Sequence, residues 1–290
     1  MLCVMTGATS GFGKEAATML IADGHRVVAG RRGSSGLPDG AEARPLDLAD
    51  LDSVRTFAEN LPDGIDSLVL NAGMQHQQIE PTSKQGFELT FAVNHLAHYL
   101  FARLALPKLS ENGRLIITSS GTHDPREKTG VPPPRHADAR LLAYPHEDPD
   151  LDSGLITAGM RAYSSSKLCN LLTARKFATL EEVAARSITV HAYDPGFIPE
   201  TGLGRAAPWI VRKIVLPLLA VVKPLGGMNS LADGAKGLRG LADGSITGDA
   251  VYMSLRKGKP TWPEVSDIAR DDTVMERLWA DSAEMVGLSA

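Results

Sequence analysis

Short apolar runs of β type alternate with helical patterns along most of the chain. Leu2–Met5, His25–Ala29, Ala41–Leu46, Ile65–Leu70, Arg114–Thr118, Ser187–Tyr193 and Ala250–Met253 read as strands. Lys14–Ala22, Leu51–Asn60, Gly86–Leu106, Ala162–Val183 and Asn229–Leu241 read as helices between them. Such alternation predicts a parallel sheet with helices on both faces. Val69-Leu70 and Ile116-Ile117 are apolar on consecutive residues, as strands covered on both sides require. The expected fold class is α/β: a doubly wound, Rossmann-like parallel sheet of about seven strands, in a single domain over residues 1–290. A closing helix, Thr273–Met285, carries Val274, Leu278, Trp279, Ala283 and Met285, and is expected to pack on the domain or on a partner subunit.

Two segments break the rhythm. Residues 122–161 are rich in Pro, His, Asp and Gly, and include Pro132-Pro133-Pro134. They are too long for an ordinary connection, and predict a partly structured inserted loop near the site. Residues 197–228 are rich in Pro, Gly and apolar side chains. Trp209-Ile210-Val211 and the run through Val222 are open to three readings: a substrate lid, core or subunit packing, or a membrane-surface helix.

Composition narrows the function. The 290 residues are 43% hydrophobic and 22% charged, enough for a substantial core. A net charge of −4, a pI near 6.1 and no basic block argue against nucleic-acid binding. Cys3 and Cys169 are the two cysteines, expected as buried thiols in a reducing compartment. The first strand begins at Leu2, which leaves no room for a secretory signal. The most apolar stretch, 214–222, falls short of the ~20 residues a bilayer span needs. A soluble, cytoplasmic protein without a membrane span is expected.

Candidate chemistry begins at the first strand, which runs into Thr6-Gly7-Ala8-Thr9-Ser10-Gly11-Phe12-Gly13 and then a helix. Glycines let the backbone approach a phosphate, and the helix N-terminus offers free N–H groups and partial positive charge. The spacing departs from G-x-G-x-x-G, and a ligand-free strand–helix turn would read alike. At the tip of the second strand stands Arg31-Arg32 where a carboxylate would read a free ribose hydroxyl. Guanidinium groups match a 2′-phosphate, favouring NADP(H) over NAD, unless both are solvated surface charges. Asp47 is placed to accept from an adenine amino group or to cap the next helix.

Tyr163 and Lys167 lie four apart, on one face of a predicted helix. A tyrosine titrates near 10, and an adjacent ammonium lowers that value, giving a usable acid/base. Ser119-Ser120 ends a central strand, where open α/β sheets bind ligands, although a turn or cap is the alternative. Asn71-Ala72-Gly73 ends the preceding strand, and Asn94 sits inside a predicted helix it does not favour. His123, His136 and His146, with Asp124, Glu147 and Asp148, lack the spacing of a metal site. No metal is expected.

Together the turn, Asn71-Ala72-Gly73, Asn94, Ser120, Tyr163-x-x-x-Lys167 and Pro195-Gly196 resemble a short-chain dehydrogenase/reductase over residues 2 to about 255. Gly86-Phe87-Glu88-Leu89, Asn94-His95-Leu96-Ala97-His98, Ser166-Lys167-Leu168-Cys169-Asn170 and the run from Pro195 through Phe197 to Leu203 resemble the retinol dehydrogenase and protochlorophyllide reductase branch. The resemblance implies that Ser120 orients a carbonyl and Tyr163 donates the proton. It implies that Lys167 holds the nicotinamide ribose and tunes Tyr163, and that Asn94 supports a proton relay. It extends the cofactor contacts to Thr9, Ser10, Phe12, Leu48, Ala72, Gly73, Ile198 and Thr201. Phe197 stands where the light-dependent reductases carry cysteine, which favours carbonyl chemistry over photoreduction. The expectation is an NADP(H)-dependent oxidoreductase acting on a carbonyl or secondary alcohol of a bulky hydrophobic substrate, assembled as a homodimer or homotetramer. Alternatives are C=C reduction on a porphyrin-like or polycyclic substrate, and a non-catalytic NADP-binding regulator.

Overall fold

The computed structural model describes residues 1–33, 36–199 and 228–290. Eight strands form one sheet among these residues: β1 (Leu2–Thr6), β2 (Arg26–Arg31), β3 (Glu42–Pro45), β4 (Ile65–Leu70), β5 (Leu109–Thr118), β6 (Thr189–Asp194), β7 (Tyr252–Arg256) and β8 (Lys259–Thr261). Their order is β3-β2-β1-β4-β5-β6-β7-β8, parallel throughout except for the β7–β8 pair. The eighth strand escapes the hydrophobic pattern because it is a three-residue edge, Lys-Pro-Thr, with a proline where a central strand would need a donor.

Strand order reverses between β1 and β4, so a crevice opens where the chain leaves these two strands in opposite directions. The alternation of side chains across the sheet divides the core. Cys3 and Met5 face one layer with α1 (Gly11–Ala22) and α8 (Leu231–Asp243), while Val4 faces the other. That second layer holds α2 (Leu51–Glu59), α4 (Ala97–Ala105), α6 (Leu155–Ala178) and α9 (Asp272–Met285). Phe57 and Phe101 meet edge-on between α2 and α4, with centroids 5.2 Å apart. The closing helix packs on this same layer, where Trp279 meets the rings of Tyr99 and Phe177. Both cysteines are buried and unpaired.

Two helical expectations are corrected. The predicted helix over 86–106 is α3 (Leu89–Phe91), a π-turn (Ala92–Leu96) and α4 in succession. The helix expected from Ala162 starts at Leu155, and its C-terminal part separates as α7 (Glu181–Ala185). Leu155 and Ile156 are exposed, so the first turn carries no buried stripe by which a helix could be read. The inserted segment is accordingly shorter than expected, and it contains α5 (Ala139–Ala143). Arg161 ties it to the start of α6: its Nε lies 2.6 Å from Asp152, while Arg135 bridges Asp152 at 3.2 Å and Asp148 at 3.4 Å. The proposed lid, residues 197–228, lies outside the described residues from 200 to 227. No helix of the described residues is long and apolar enough to cross a membrane.

Candidate active site

The glycine turn leaves β1 at the crevice. Gly7 has φ +74°, and a Cβ there would lie 2.8 Å from the Ala72 backbone nitrogen. At Gly13 a Cβ would lie 2.3 Å from the Gly7 carbonyl oxygen, so helix, turn and Asn71 close on one another without side chains between them. Thr6 welds the same corner: its Oγ1 accepts from the Asn71 and Ala72 N–H groups at 2.9 and 3.0 Å. Asn71 in turn accepts from the Thr118 hydroxyl at 3.1 Å.

A dinucleotide phosphate fits this corner. Ser10, the N-cap of α1, makes no side-chain capping bond, and no acidic residue stands in the first turn. The N–H groups and partial positive charge of a twelve-residue helix therefore face the crevice uncompensated. Among the described residues nothing lies within 4 Å of the position a Gly11 Cβ would occupy. Thr9 lies on the same turn, and Phe12 leans from it onto Tyr193 in an edge contact.

Arg31 ends β2 and Arg32 follows it, exposed. Among the described residues neither guanidinium meets a carboxylate, which leaves both donors available at the strand tip. Asp47 and Leu48 follow β3, but Asp47 caps no helix: its carboxylate accepts from Ala49 N–H at 3.0 Å, and Asp50 caps α2. Ile198 is buried after the Pro195-Gly196 turn, and Thr201 lies outside the described residues.

Tyr163 and Lys167 project from α6 toward the C-terminal end of β5, as their spacing requires. The Lys167 Nζ donates to the Thr118 carbonyl at 3.1 Å and lies 5.6 Å from the centroid of the Tyr163 ring. It has two further donors, and among the described residues no carboxylate contacts it. The Ser120 hydroxyl accepts from Thr122 N–H at 3.3 Å and acts on the Tyr163 phenol in the lowering direction. Ser119 instead donates to the Lys167 carbonyl at 2.8 Å, pinning α6 to β5, so the two adjacent hydroxyls face different partners.

Asn94 sits in the π-turn with its side chain fully used. It donates to the Met74 carbonyl at 2.8 Å and to Ser166 Oγ at 3.0 Å, and accepts from Met74 N–H at 2.8 Å. A Cβ on Gly73 would come 3.3 Å from Lys167 Nζ and 3.5 Å from Asn94 Oδ1, which places all three around one small volume. His98 bridges the Asn94 carbonyl and the Thr6 hydroxyl, at 3.0 Å each. Thr6 already accepts two N–H groups, so its hydroxyl donates to Nε2 and the His98 Nδ1–H donates to Asn94.

Electrostatics here are governed by burial. The Tyr163 phenol is pushed well above its ordinary value by desolvation, with the Asp194 charge adding to the rise and Ser120 opposing it. The lowering expected from Lys167 is absent from this balance: its Nζ lies 5.6 Å from the ring centroid, and taking a phenolate out of water sets the direction. Desolvation lowers Lys167 to about 8, and Asp194 partly restores it. His98 is lowered to about 4 by burial, so it is neutral in the bridge just described.

Three contributors were not singled out from the sequence. Asn170 donates to the same Thr118 carbonyl as Lys167, at 3.0 Å. Asn229 donates to the Pro195 and Leu255 carbonyls at 2.8 and 2.7 Å, clamping the Pro-Gly turn to β7. His98 appeared as part of a resembling string, without a role. Spacing along the chain carries no signal for a side chain whose partner is a distant carbonyl. The histidines of the inserted segment are dispersed: His123 packs edge-on against Tyr252, and His136 pairs with Asp148 at 3.2 Å. Among the described residues no group of three or more His, Cys, Asp or Glu is arranged to hold a metal ion.

Known proteins agree with this architecture. Residues 2–130 match the short chain dehydrogenase family. Protochlorophyllide reductase A from Arabidopsis thaliana is 33% identical over 99% of this chain and 76% of its own length. The same enzyme from Oryza sativa is 33% identical over 98% of this chain and 80% of its own. Among solved structures, an uncharacterized Mycobacterium paratuberculosis protein superposes with a TM-score of 0.69 at 25% identity, covering 99% of this chain and 94% of that one. A Burkholderia cenocepacia short chain dehydrogenase in complex with NADP has a TM-score of 0.57 at 18% identity, covering 99% and 96%. The chain belongs to the short-chain dehydrogenase/reductase family, in the branch that includes the protochlorophyllide reductases.

Proposed function

We propose that the protein is a single-domain, NADP(H)-dependent reductase that converts a carbonyl on a bulky, hydrophobic substrate to an alcohol. The observation that carries this reading is the buried Tyr163 with Lys167 Nζ 5.6 Å from its ring centroid, on the helix packed against the end of β5 that carries Ser120. Ser120 and Tyr163 present two hydroxyls to one carbonyl oxygen. The uncapped start of α1 receives the pyrophosphate, and Arg31 with Arg32 receives the 2′-phosphate. The two unused donors of Lys167 are directed at ribose hydroxyls. Bound there, NADPH supplies the hydride. Tyr163 supplies the proton to the developing alkoxide, and its phenol is suited to that direction because burial keeps it protonated. The Asn94–Ser166 bond and the Ser119 bond hold α6 in register, so that Tyr163 and Ser120 meet the same oxygen.

A second reading, reduction of a C=C bond on a porphyrin-like or polycyclic substrate, is favoured by the protochlorophyllide reductases that align over almost the whole chain. Tyr163 would then protonate carbon. Phe197, 56% exposed directly after Pro195-Gly196, supplies no acidic hydrogen for such a step. A panel of ketones and aldehydes with NADPH, run beside protochlorophyllide in darkness and in light, separates the readings. Turnover of a carbonyl in the dark supports the first, whereas product formed only from the tetrapyrrole replaces it with the second.

A further inference from the structure

His123 is a polar side chain in a place where packing alone would ask for an apolar one. It closes the short turn Gly121–His123 beyond β5 and is 1% exposed. Its ring stands edge-on to Tyr252 of β7, with centroids 5.1 Å apart and planes at 79°. A phenylalanine would make the same contact and bury no polar atom. The imidazole instead buries two nitrogens, and among the described residues Nε2 has no hydrogen-bond partner. An unpartnered buried acceptor is destabilising, so the reason for a histidine lies with the other nitrogen.

Nδ1 lies 2.7 Å from the Ser120 carbonyl oxygen. A carbonyl only accepts, so Nδ1 carries the hydrogen and Nε2 is the bare nitrogen. Ser120 is extended, with φ −168° and ψ 147°, and it caps the turn. Its hydroxyl oxygen accepts from Thr122 N–H at 3.3 Å, and its carbonyl accepts from His123 N–H at 3.3 Å. Both of these bonds are long, in keeping with the poor hydrogen-bond geometry of three-residue turns. The imidazole bond is the short one, so it sets the orientation of the Ser120–Gly121 peptide. The ring that makes it is itself held. Tyr193 turns into the layer of α1 and α8, so its neighbour Asp194 faces the layer of α6. There the Tyr252 hydroxyl donates to Asp194 Oδ2 at 3.0 Å, and a Cβ on Gly121 would lie 3.2 Å from the same oxygen. Tyr252 is thereby anchored on one side and meets the His123 ring on the other, while α6 packs against the turn.

We propose that His123 is a positioning residue for Ser120: its Nδ1–H, steadied by the edge contact with Tyr252, fixes the Ser120 carbonyl and so holds the Ser120 hydroxyl in one orientation. This rests on the reading of Ser120 as the residue that orients the substrate carbonyl. His123 acts through the serine and touches neither substrate nor cofactor in this role. Burial lowers the histidine below its ordinary value, which maintains the neutral ring with a single N–H.

Two substitutions separate the hydrogen bond from the packing. His123→Phe keeps a ring against Tyr252 and removes the donor, whereas His123→Asn places an amide N–H near the position of Nδ1 and gives up the ring. Reduction of a carbonyl from the panel above should show kcat about tenfold lower in His123→Phe, with KM and the NADPH dissociation constant within about twofold of the parent. His123→Asn should restore most of that loss. A second readout needs no substrate. Amide hydrogen exchange at Thr122, whose N–H rests on the Ser120 hydroxyl oxygen, should quicken about tenfold in His123→Phe relative to the amides of β5, and stay near the parent rate in His123→Asn. Unchanged kcat in His123→Phe overturns the proposal, as does a His123→Asn as slow as His123→Phe, or unmoved exchange at Thr122. Ser120→Ala tests the underlying reading separately. If it turns over undiminished, or if no carbonyl is reduced, Ser120 loses its assigned role and Thr122 exchange alone decides whether His123 fixes the serine. If His123→Phe does not fold, His123→Gln is held to the same outcomes, because its amide reaches the place of Nε2 and leaves that of Nδ1 empty.

Discussion

Tyr163 sits with its ring beside Lys167, on the helix packed against the strand end that carries Ser120, and each of the three was legible as a residue type at the right place along the chain. Burial was not legible, and it reverses the expected direction of the tyrosine shift. Tyr163→Phe keeps the ring and removes the proton. Turnover is expected to fall by about 10²–10⁴-fold, with NADPH affinity nearly unchanged by fluorescence titration. Equal loss of both would assign Tyr163 to binding. Arg31 ends its strand without a carboxylate partner among the described residues, so its charge is available to a phosphate. Arg31→Ala should raise KM for NADPH roughly ten- to hundredfold, the equivalent of about 1.5–3 kcal/mol for a lost charge-assisted bond. KM for NADH should barely move; an equal change in both would refute the 2′-phosphate assignment.

Asn94 shows what separates elements on paper from elements in space. Its sequence neighbours predict one continuous helix, but Ala92–Leu96 adopts a π-turn. That turn places the Asn94 side chain on the Met74 backbone and Ser166, and its carbonyl within reach of His98. A hydrophobic period cannot reveal one extra residue in a turn when both neighbouring turns are buried. Asn94→Ala leaves the Met74 N–H and carbonyl without partners, at a cost of about 1–3 kcal/mol each if neither recovers water. The expected outcome is a Tm several degrees lower, together with a fall in kcat larger than any change in KM, read by thermal unfolding and steady-state kinetics. Unaltered stability would show that the clasp is not what holds this region. The start of α6 teaches a similar lesson. Its first turn is exposed and tied down by Asp152 and Arg161, whose pairing lies across a loop.

At the scale of the molecule, the two layers bury titratable groups whose effects add to a net acid sensitivity. His95 and His98 have folded values of about 3 and about 4, each lowered chiefly by burial from 6.5. The unfolded chain binds their protons and the folded chain does not, so the stability associated with them is full above pH 6.5 and is lost as pH falls toward those values. Glu88 opposes this: burial raises it to about 7 from 4.5, so its contribution is present below 4.5 and declines as pH rises through 7. Between 4.5 and 6.5, two protons outweigh one, a net loss of roughly 1.4 kcal/mol per unit of acidification. Urea unfolding should show a lower midpoint at pH 5 than at pH 6.5, and His95→Gln should flatten the difference. Equal midpoints would contradict the balance. The alternating pattern, the glycine turn and the Tyr163–Lys167 spacing determined the sheet, the cofactor corner and the chemistry, because each depends on periods and side-chain types within one stretch of chain. Only the tertiary structure decided that Ser119 is taken up by the Lys167 carbonyl, how Asn94 and His98 close the π-turn, and which layer Asp194 faces. Those depend on strand order and burial, where residues distant in sequence share one low-dielectric volume and determine each other's charge.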